Sequence, residues 1–460
     1  MKRGNRMESL GWSVWNHDAD YKLSLPHMSS EEKEVVLAVA SRFLALAQRL
    51  EIADDGAARD EITKLLSVYL CECRIDADHD QHKYLSDAVF LQTFGLGFLG
   101  ELLLDESLEE IAVIGLGKPV FVFVRGHGWK RTNVSIDSQE YFVSLANRLG
   151  RGLGRRLTSQ QPRLNATLSD GSRLHATMPP ISSCELTIRK FSRDPLSPFD
   201  LMAYGTWGAR ELSLLSLALQ SDLSVLFCGN TASGKTSTLN ALLSFVPSSE
   251  RLLLIEETPE ISVPHPHQLR MVPFEEGNIG MVELVRDSLR MRPDKVAVGE
   301  IRSSDEARAF AESALSGQAK GCYATFHAQT SRDAVLRLRM MGCLEADLEG
   351  LDLFVVQRRF TTYDSKKRKI GESRRLSEIS IADRHDVLNP IRIFDNGKFS
   401  KKGLDILLAR ISLASGMPGL EVRKELSRRE GFLGKGQRGK RATFSDSFQK
   451  IQEYMFGKIG

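Results

Sequence analysis

The run Gly229-Asn230-Thr231-Ala232-Ser233-Gly234-Lys235-Thr236 constrains this chain more than any other stretch. It matches G-x-x-x-x-G-K-[ST] in full and stands between an apolar run at 223–227 and a helical pattern at 237–245. Its glycines let the chain turn tightly enough to aim successive backbone N–H groups at one phosphate. The helix that opens at Ser237 adds the positive end of its dipole. Lys235 is expected to reach the β- and γ-phosphates, and the Thr236 hydroxyl to hold Mg²⁺. A strand, phosphate loop and helix in this order call for a parallel sheet covered by helices.

That unit occupies a small part of 460 residues, a length that asks for two or three domains. With 42% hydrophobic and 26% charged residues the chain has the profile of a globular protein. A net charge of +3 is too balanced for bulk nucleic-acid binding, so basic surface must be local. Six cysteines do not make a disulfide framework at this length, and the C-x-C of Cys71 and Cys73 lacks the second pair that zinc would need. No span of about 20 apolar residues occurs. No apolar segment follows Met1-Lys2-Arg3, so no signal peptide is expected and a cytosolic location is.

Five regions follow from the patterning. Residues 1–84 form a helical N-terminal region with a polar, loosely docked start at 1–29. A helix begins near Ser29-Ser30-Glu31-Glu32, a second runs over 57–69, and a third over 85–104. Residues 85–193 form an α+β domain with strands at 111–114, 120–124, 173–178 and 186–191 and a helix at 138–149. Residues 194–206 are a linker stiffened by Pro195 and Pro198. Residues 207–385 alternate helices with strands at 223–227, 252–255, 296–298 and 322–325, an α/β pattern. Residues 386–460 supply a hairpin strand, pairing 376–381 with 391–394, and a basic helical tail. Gly95-Leu96-Gly97-Phe98-Leu99-Gly100 spells G-x-G-x-x-G, but no strand precedes it and no acidic residue stands about 20 positions later, so it is not a dinucleotide site.

A phosphate loop needs acidic partners at neighbouring strand ends. Glu256 and Glu257 follow the apolar run at 252–255, and Glu300 follows Val296-Ala297-Val298-Gly299. One such carboxylate can organise Mg²⁺ while another polarises the attacking water. His327, just past 322–325, stands where it could sense the γ-phosphate. His265 and His267 have no further ligands in view and are expected in a loop.

The phosphate loop, the Ile255-Glu256-Glu257-Thr258-Pro259-Glu260 run, Val298-Gly299-Glu300-Ile301-Arg302 and the late His327 together resemble the secretion ATPase superfamily, in family order. Gly117-Lys118-Pro119-Val120, Leu168-Ser169-Asp170-Gly171-Ser172-Arg173 and Thr187-Ile188-Arg189-Lys190-Phe191 resemble its archaeal and tight-adherence branches, and the resemblance favours the archaeal type IV pilus-like branch, a pilus or archaellum assembly motor. The resemblance implies a RecA-like core with a parallel-type sheet, preceded by a PAS-like α+β domain. It implies ATP and Mg²⁺ as ligands, Glu256 as catalytic carboxylate, Glu300 in the Walker B position, and Arg173 and Arg189 as arginines that reach the phosphates. Arg290 and Arg292 match the arginines before the Walker B strand. It also implies a homo-hexameric ring at the inner face of the cytoplasmic membrane, with a polytopic membrane platform protein as partner and no specific nucleic acid.

Three departures stand out. Glu257 replaces the usual Asp, which leaves the base open between Glu256 and Glu257. Gly317-Gln318 replaces Gly-His ahead of His327, and the tetracysteine zinc element of one branch is absent. Two other readings stay open: a ring-shaped nucleic-acid translocase, using Lys366-Lys367-Arg368-Lys369 and Arg374-Arg375, and a nucleotide-gated scaffold with little turnover. The basic runs are otherwise expected to be a solvated hairpin or a contact with lipid or the platform protein.

Overall fold

Helix starts are marked by the side chains that cap them. In the computed structural model the backbone N–H groups of Ser29 and Glu32 each donate to the other's side-chain oxygen ahead of α1 (Ser30–Ala47), and the Asp54 side chain accepts from Ala57 N at the start of α2 (Asp55–Cys73). The structure describes residues 6–8, 12–15, 19–23, 28–47, 54–93, 95–150, 156–191, 195–274, 277–364, 369–436 and 442–456. They form two compact units, Met1–Ser192 and Arg193–Gly460.

In the first unit, α1, α2 and α3 (His79–Thr93) bury Val36, Phe43, Ile62, Leu66 and Val89 in a core of their own. The helix expected over 85–104 starts earlier and breaks. α4 (Phe98–Leu104) is a separate helix, because Gly97 takes a left-handed φ of 56° at its N-cap. The G-x-G-x-x-G run is therefore a helix break.

The unit's sheet is antiparallel in the order β1-β2-β5-β4-β3-β8-β7-β6. Its strands are β1 (Arg6–Glu8), β2 (Trp12–Trp15), β3 (Leu108–Ile114), β4 (Pro119–Val124), β5 (Gly128–Ile136), β6 (Arg163–Thr167), β7 (Arg173–Thr177) and β8 (Glu185–Arg189). Within the polar start, expected to be loosely docked, the described residues 6–8 and 12–15 are paired strands. Apolar side chains of one face, Ile111, Val122, Leu174 and Ile188 among them, form a core with α4 and α5 (Gln139–Leu149).

The second unit has a nine-stranded sheet in the order β11-β10-β12-β13-β9-β14-β15-β16-β17. From β11 (Gln268–Met271) through β10 (Leu252–Ile255), β12 (Lys295–Ile301), β13 (Gly321–Phe326) and β9 (Val225–Gly229) to β14 (Leu353–Asp364), every pair is parallel. β15 (Lys369–Ile381), β16 (Ile391–Asp395) and β17 (Lys398–Phe399) extend it antiparallel, so the sheet is mixed and not simply parallel. Two strands carry no clear signal in the sequence: β11, whose residues are mostly exposed, and β14, whose apolar run carries into the polar Gln357-Arg358-Arg359.

Helices cover both faces. Val225 and Phe227 point to one, under α6 (Pro198–Ala203), α7 (Ala209–Gln220), α8 (Lys235–Leu242), α13 (Lys401–Ser415), α14 (Gly419–Gly436) and α15 (Phe444–Phe456). Leu226 and Cys228 point to the other, under α9 (Met281–Ser288), α10 (Ser304–Leu315), α11 (Ser331–Met340) and α12 (Glu345–Leu348). The C-terminal helices add Leu407, Val422, Leu433 and Ile451 to the same core as β9. Among the described residues no single helix is long and apolar enough to cross a membrane.

Candidate functional site

The site lies at the carboxyl ends of the parallel strands, where an open α/β sheet leaves a crevice. Register puts its parts at one level: Ile255 pairs with Val298, Val298 with Ala324, and Phe326 with Cys228. Glu256 and His327 directly follow β10 and β13, and Gly299-Glu300 and Gly229 lie in the last residues of β12 and β9, so all stand at the same edge of the sheet.

The phosphate loop needs both its glycines. A Cβ on Gly229 would sit 2.1 Å from the Gln357 carbonyl, and one on Gly234, at φ 93°, 2.8 Å from the Gln357 amide nitrogen. Gly234 is the N-cap of α8 and has no side chain to satisfy the first amides, so those donors remain for a ligand. Lys235 is nearly buried, with Nζ 3.3 Å from Gly229 O and 3.4 Å from Asn230 O. Among the described residues the buried Ser233 hydroxyl finds no hydrogen-bond partner. A cradle that a Cβ would fill, a buried ammonium and an orphaned hydroxyl fit a polyphosphate; Thr236, at the first turn of α8, fits its magnesium ion.

On one flank, charges form a chain. His327 Nδ1 is 3.5 Å from Lys235 Nζ, and its Nε2 is 2.7 Å from Glu300 Oε1. The ammonium can only donate and the carboxylate only accept, so the neutral imidazole with its proton on Nε2 satisfies both. Burial, and then the Lys235 charge, hold the His327 pKa below the ordinary value, with Glu300 opposing them. Arg302 Nε donates to Glu300 Oε2 at 2.8 Å, and Arg302 also pairs with Glu257. Burial pulls the Arg302 pKa down, but these two carboxylates outweigh it and the net shift is upward.

The neighbouring carboxylates differ. Glu257 is exposed, whereas Glu256 is only 1% exposed, with Oε1 accepting from Glu260 N and Ile261 N at 2.8 Å each. Arg270 Nε stands 3.2 Å from Glu256 Oε2 but is not aligned to hydrogen-bond it, so that oxygen keeps its acceptor capacity. Burial raises the Glu256 carboxyl pKa against the two amides and Arg270. Gly299 lets this carboxylate pack close, since a Cβ there would meet Glu256 Cγ at 3.1 Å.

The other flank consists of residues the motifs do not contain. Gln357 on β14 donates to Ser233 O at 2.7 Å and accepts from Thr238 at 2.6 Å. Arg359 N donates to Asn230 Oδ1 at 3.1 Å, and Arg374 Nε to Ala232 O at 2.9 Å. Arg374, expected on a solvated hairpin, thus holds the phosphate loop. Lys366, Lys367 and Arg368 lie outside the described residues. A cavity of about 630 Å³ opens beside this flank, lined by Trp207, Glu211, Phe360, Arg375 and Asn396.

Other expected residues lie elsewhere. Arg290 is on the surface and pairs with Asp287, and Arg292 is exposed. Arg173 and Arg189 face each other in register on β7 and β8 of the first unit. Glu110 on β3 pairs with Arg189 across the next ladder. His265 is buried, its ring packed on Phe448; its Nδ1 accepts from His267 N, which leaves Nε2–H to donate to Pro247 O at 3.0 Å. Cys71 and Cys73 are exposed, and among the described residues no group of three or more side chains is set to hold a metal.

Residues 154–389 match the family model for type II/IV secretion system protein, half of the chain and all of the site on the second unit. The chain belongs to this family. An uncharacterized protein of Methanocaldococcus jannaschii is 39% identical over 226 residues, covering 46% of this chain and 31% of that protein. A putative conjugal transfer protein of Mycobacterium tuberculosis is 30% identical over 265 residues, covering 54% of this chain and 74% of the relative. The chain thus spans under a third of the first relative and three quarters of the second. A crystal structure of the Legionella pneumophila ATPase DotB aligns with a TM-score of 0.46 at 17% identity, covering 74% of this chain and 90% of that one.

Proposed function

We propose that the chain hydrolyses ATP with Mg²⁺ and uses the resulting domain closure to power a membrane-associated secretion or filament-assembly machine. The single observation that carries this reading is the alignment of Lys235, His327 and Glu300 in one chain of contacts beside the phosphate loop. Family membership supports the secretion role.

In this reading the loop amides and Lys235 bind the β- and γ-phosphates. Thr236 and Glu300 are the residues that would hold magnesium, which would supply charge neutralisation on the phosphates. Glu256 orients the attacking water through Oε2, and its raised pKa suits a group that must take up a proton. Glu257 balances Arg302. His327 registers the γ-phosphate through Lys235 and Glu300. Arg173 and Arg189 serve as the arginines that reach the phosphates.

The RecA-like and PAS-like descriptions of the two units, the homo-hexameric ring, the position at the inner face of the cytoplasmic membrane and the polytopic platform partner belong to the same proposal. So does an archaeal pilus-like machine, of which the archaeal relative bears on the branch alone. Steady-state phosphate release tests the reading: wild type turns over, and Lys235→Ala does not. Equal turnover in the two would sink it.

A further inference from the structure

We propose that Gln357 is a positioning residue for the phosphate loop, setting the direction of the Ser233–Gly234 peptide so that its amide faces a bound phosphate. This rests on reading residues 229–236 as that loop. Gln357 lies 3% exposed on β14, between the loop, the helix after it and Trp207. Its side chain touches all three. Nε2 donates to Ser233 O at 2.7 Å, while Oε1 accepts from Thr238 Oγ1 at 2.6 Å and from Trp207 Nε1 at 3.4 Å.

Chemistry alone fixes the orientation of this amide. The Ser233 carbonyl can only accept and the Trp207 indole N–H can only donate, so exchanging the amide's oxygen and nitrogen would break both contacts. Trp207 also donates to Thr238 Oγ1 at 3.2 Å, which closes a triangle of side chains around Oε1. Trp207 is fixed in turn, because its neighbour Thr206 accepts from Leu376 N at 3.0 Å on β15. The Gln357 amide is therefore clamped at its oxygen end, and its nitrogen end acts on the loop.

What it acts on matters for binding. The peptide that carries Ser233 O also carries the N–H of Gly234, at the mouth of α8. Holding the carbonyl away from the crevice turns that N–H toward it. Ala232 one step earlier has a left-handed φ of 59°, uncommon for a residue with a Cβ, so this stretch needs outside support. Gln357 and Arg374 supply it from β14 and β15. A carboxylate at 357 would still accept from Thr238 and Trp207, but it could not donate to Ser233 O and would repel it.

The test is Gln357→Glu in the full chain, read by ATP turnover, ADP binding by calorimetry and thermal unfolding. The expected result is a KM for ATP raised about tenfold or more and ADP affinity weakened in step, with kcat within about threefold. The unfolding temperature without nucleotide falls by several degrees, because the buried carboxylate faces a carbonyl it repels, so turnover and binding are read well below it. Thr238→Val, which loosens only the clamp, raises KM by about two- to fivefold. Combined with Gln357→Glu it adds less than the product of the two effects.

A merely structural Gln357 would lower the unfolding temperature and leave KM alone; KM within about twofold of wild type in a folded Gln357→Glu overturns the proposal. If that variant does not fold, Thr238→Val decides, and an unchanged KM there overturns it. The underlying reading fails separately. In that case wild type and Lys235→Ala bind ADP alike, whatever residue 357 is.

Discussion

The phosphate loop is held from two sides by different physics. Toward β12 and β13 the partners are charged: the nearly buried Lys235 and the more exposed His327, Glu300 and Arg302. Toward β14 the key contacts are neutral, buried and directional, made by Gln357, Thr238 and Trp207. Coulomb energies rise and fall with every charge that enters, so the first flank can respond to a nucleotide. A buried amide with every partner satisfied has one geometry and keeps it. One side is built to change and the other to hold.

Breaking the charged side should cost most. Lys235→Ala is expected to lower ATP turnover by about a thousandfold or more, measured as phosphate release at saturating ATP. Glu256→Gln should slow cleavage by about a hundredfold or more and still bind nucleotide, while Glu257→Gln stays within about fivefold. The reverse ranking would move the base to Glu257 and break the contrast between a buried and an exposed carboxylate.

His327 supplies a pH test of the same flank. Its folded pKa lies below the unfolded value of 6.5, so the unfolded chain binds the proton first as pH falls. The neutral ring costs nothing above pH 6.5, and stability drains away as pH falls from there through the folded pKa. Protonation also removes the Nδ1 acceptor that faces Lys235. Turnover should therefore fall on the acid side below pH 6.5, and His327→Asn, slower by about tenfold, should lose that limb. A limb unchanged in the variant would assign it to another group. The smallest effect belongs to the other side: Arg374→Ala, which removes one partly exposed contact to Ala232 O, should raise KM for ATP by about two- to threefold with kcat unchanged.

What lay open in the sequence is the charged flank. Local spacing ties Gly229, Gly234, Lys235 and Thr236 to a phosphate, and apolar runs before Glu256, Glu300 and His327 announce strands whose ends carry these residues. Parallel pairing then needs no further information to bring strand ends together. The α/β alternation of the second unit and the helices at 30, 57 and 138 were legible for the same reason, since caps and periodicity act over a few residues. The break at Gly97 went unseen because the apolar pattern continues across it.

Tertiary structure alone decided the neutral flank. Gln357 lies 124 residues from Ser233, 119 from Thr238 and 150 from Trp207, and an isolated glutamine after an apolar run carries no pattern. Arg374 sat in a basic pair that looked solvated, and only the pairing of β14 with β15 brings it to Ala232. Burial also divided Glu256 from Glu257, two equal residues in sequence. The sequence determines which groups can touch a phosphate, because that chemistry depends on residue type and short spacing. The fold decides which distant side chains hold them still, because a hydrogen bond depends on where two atoms end up in space.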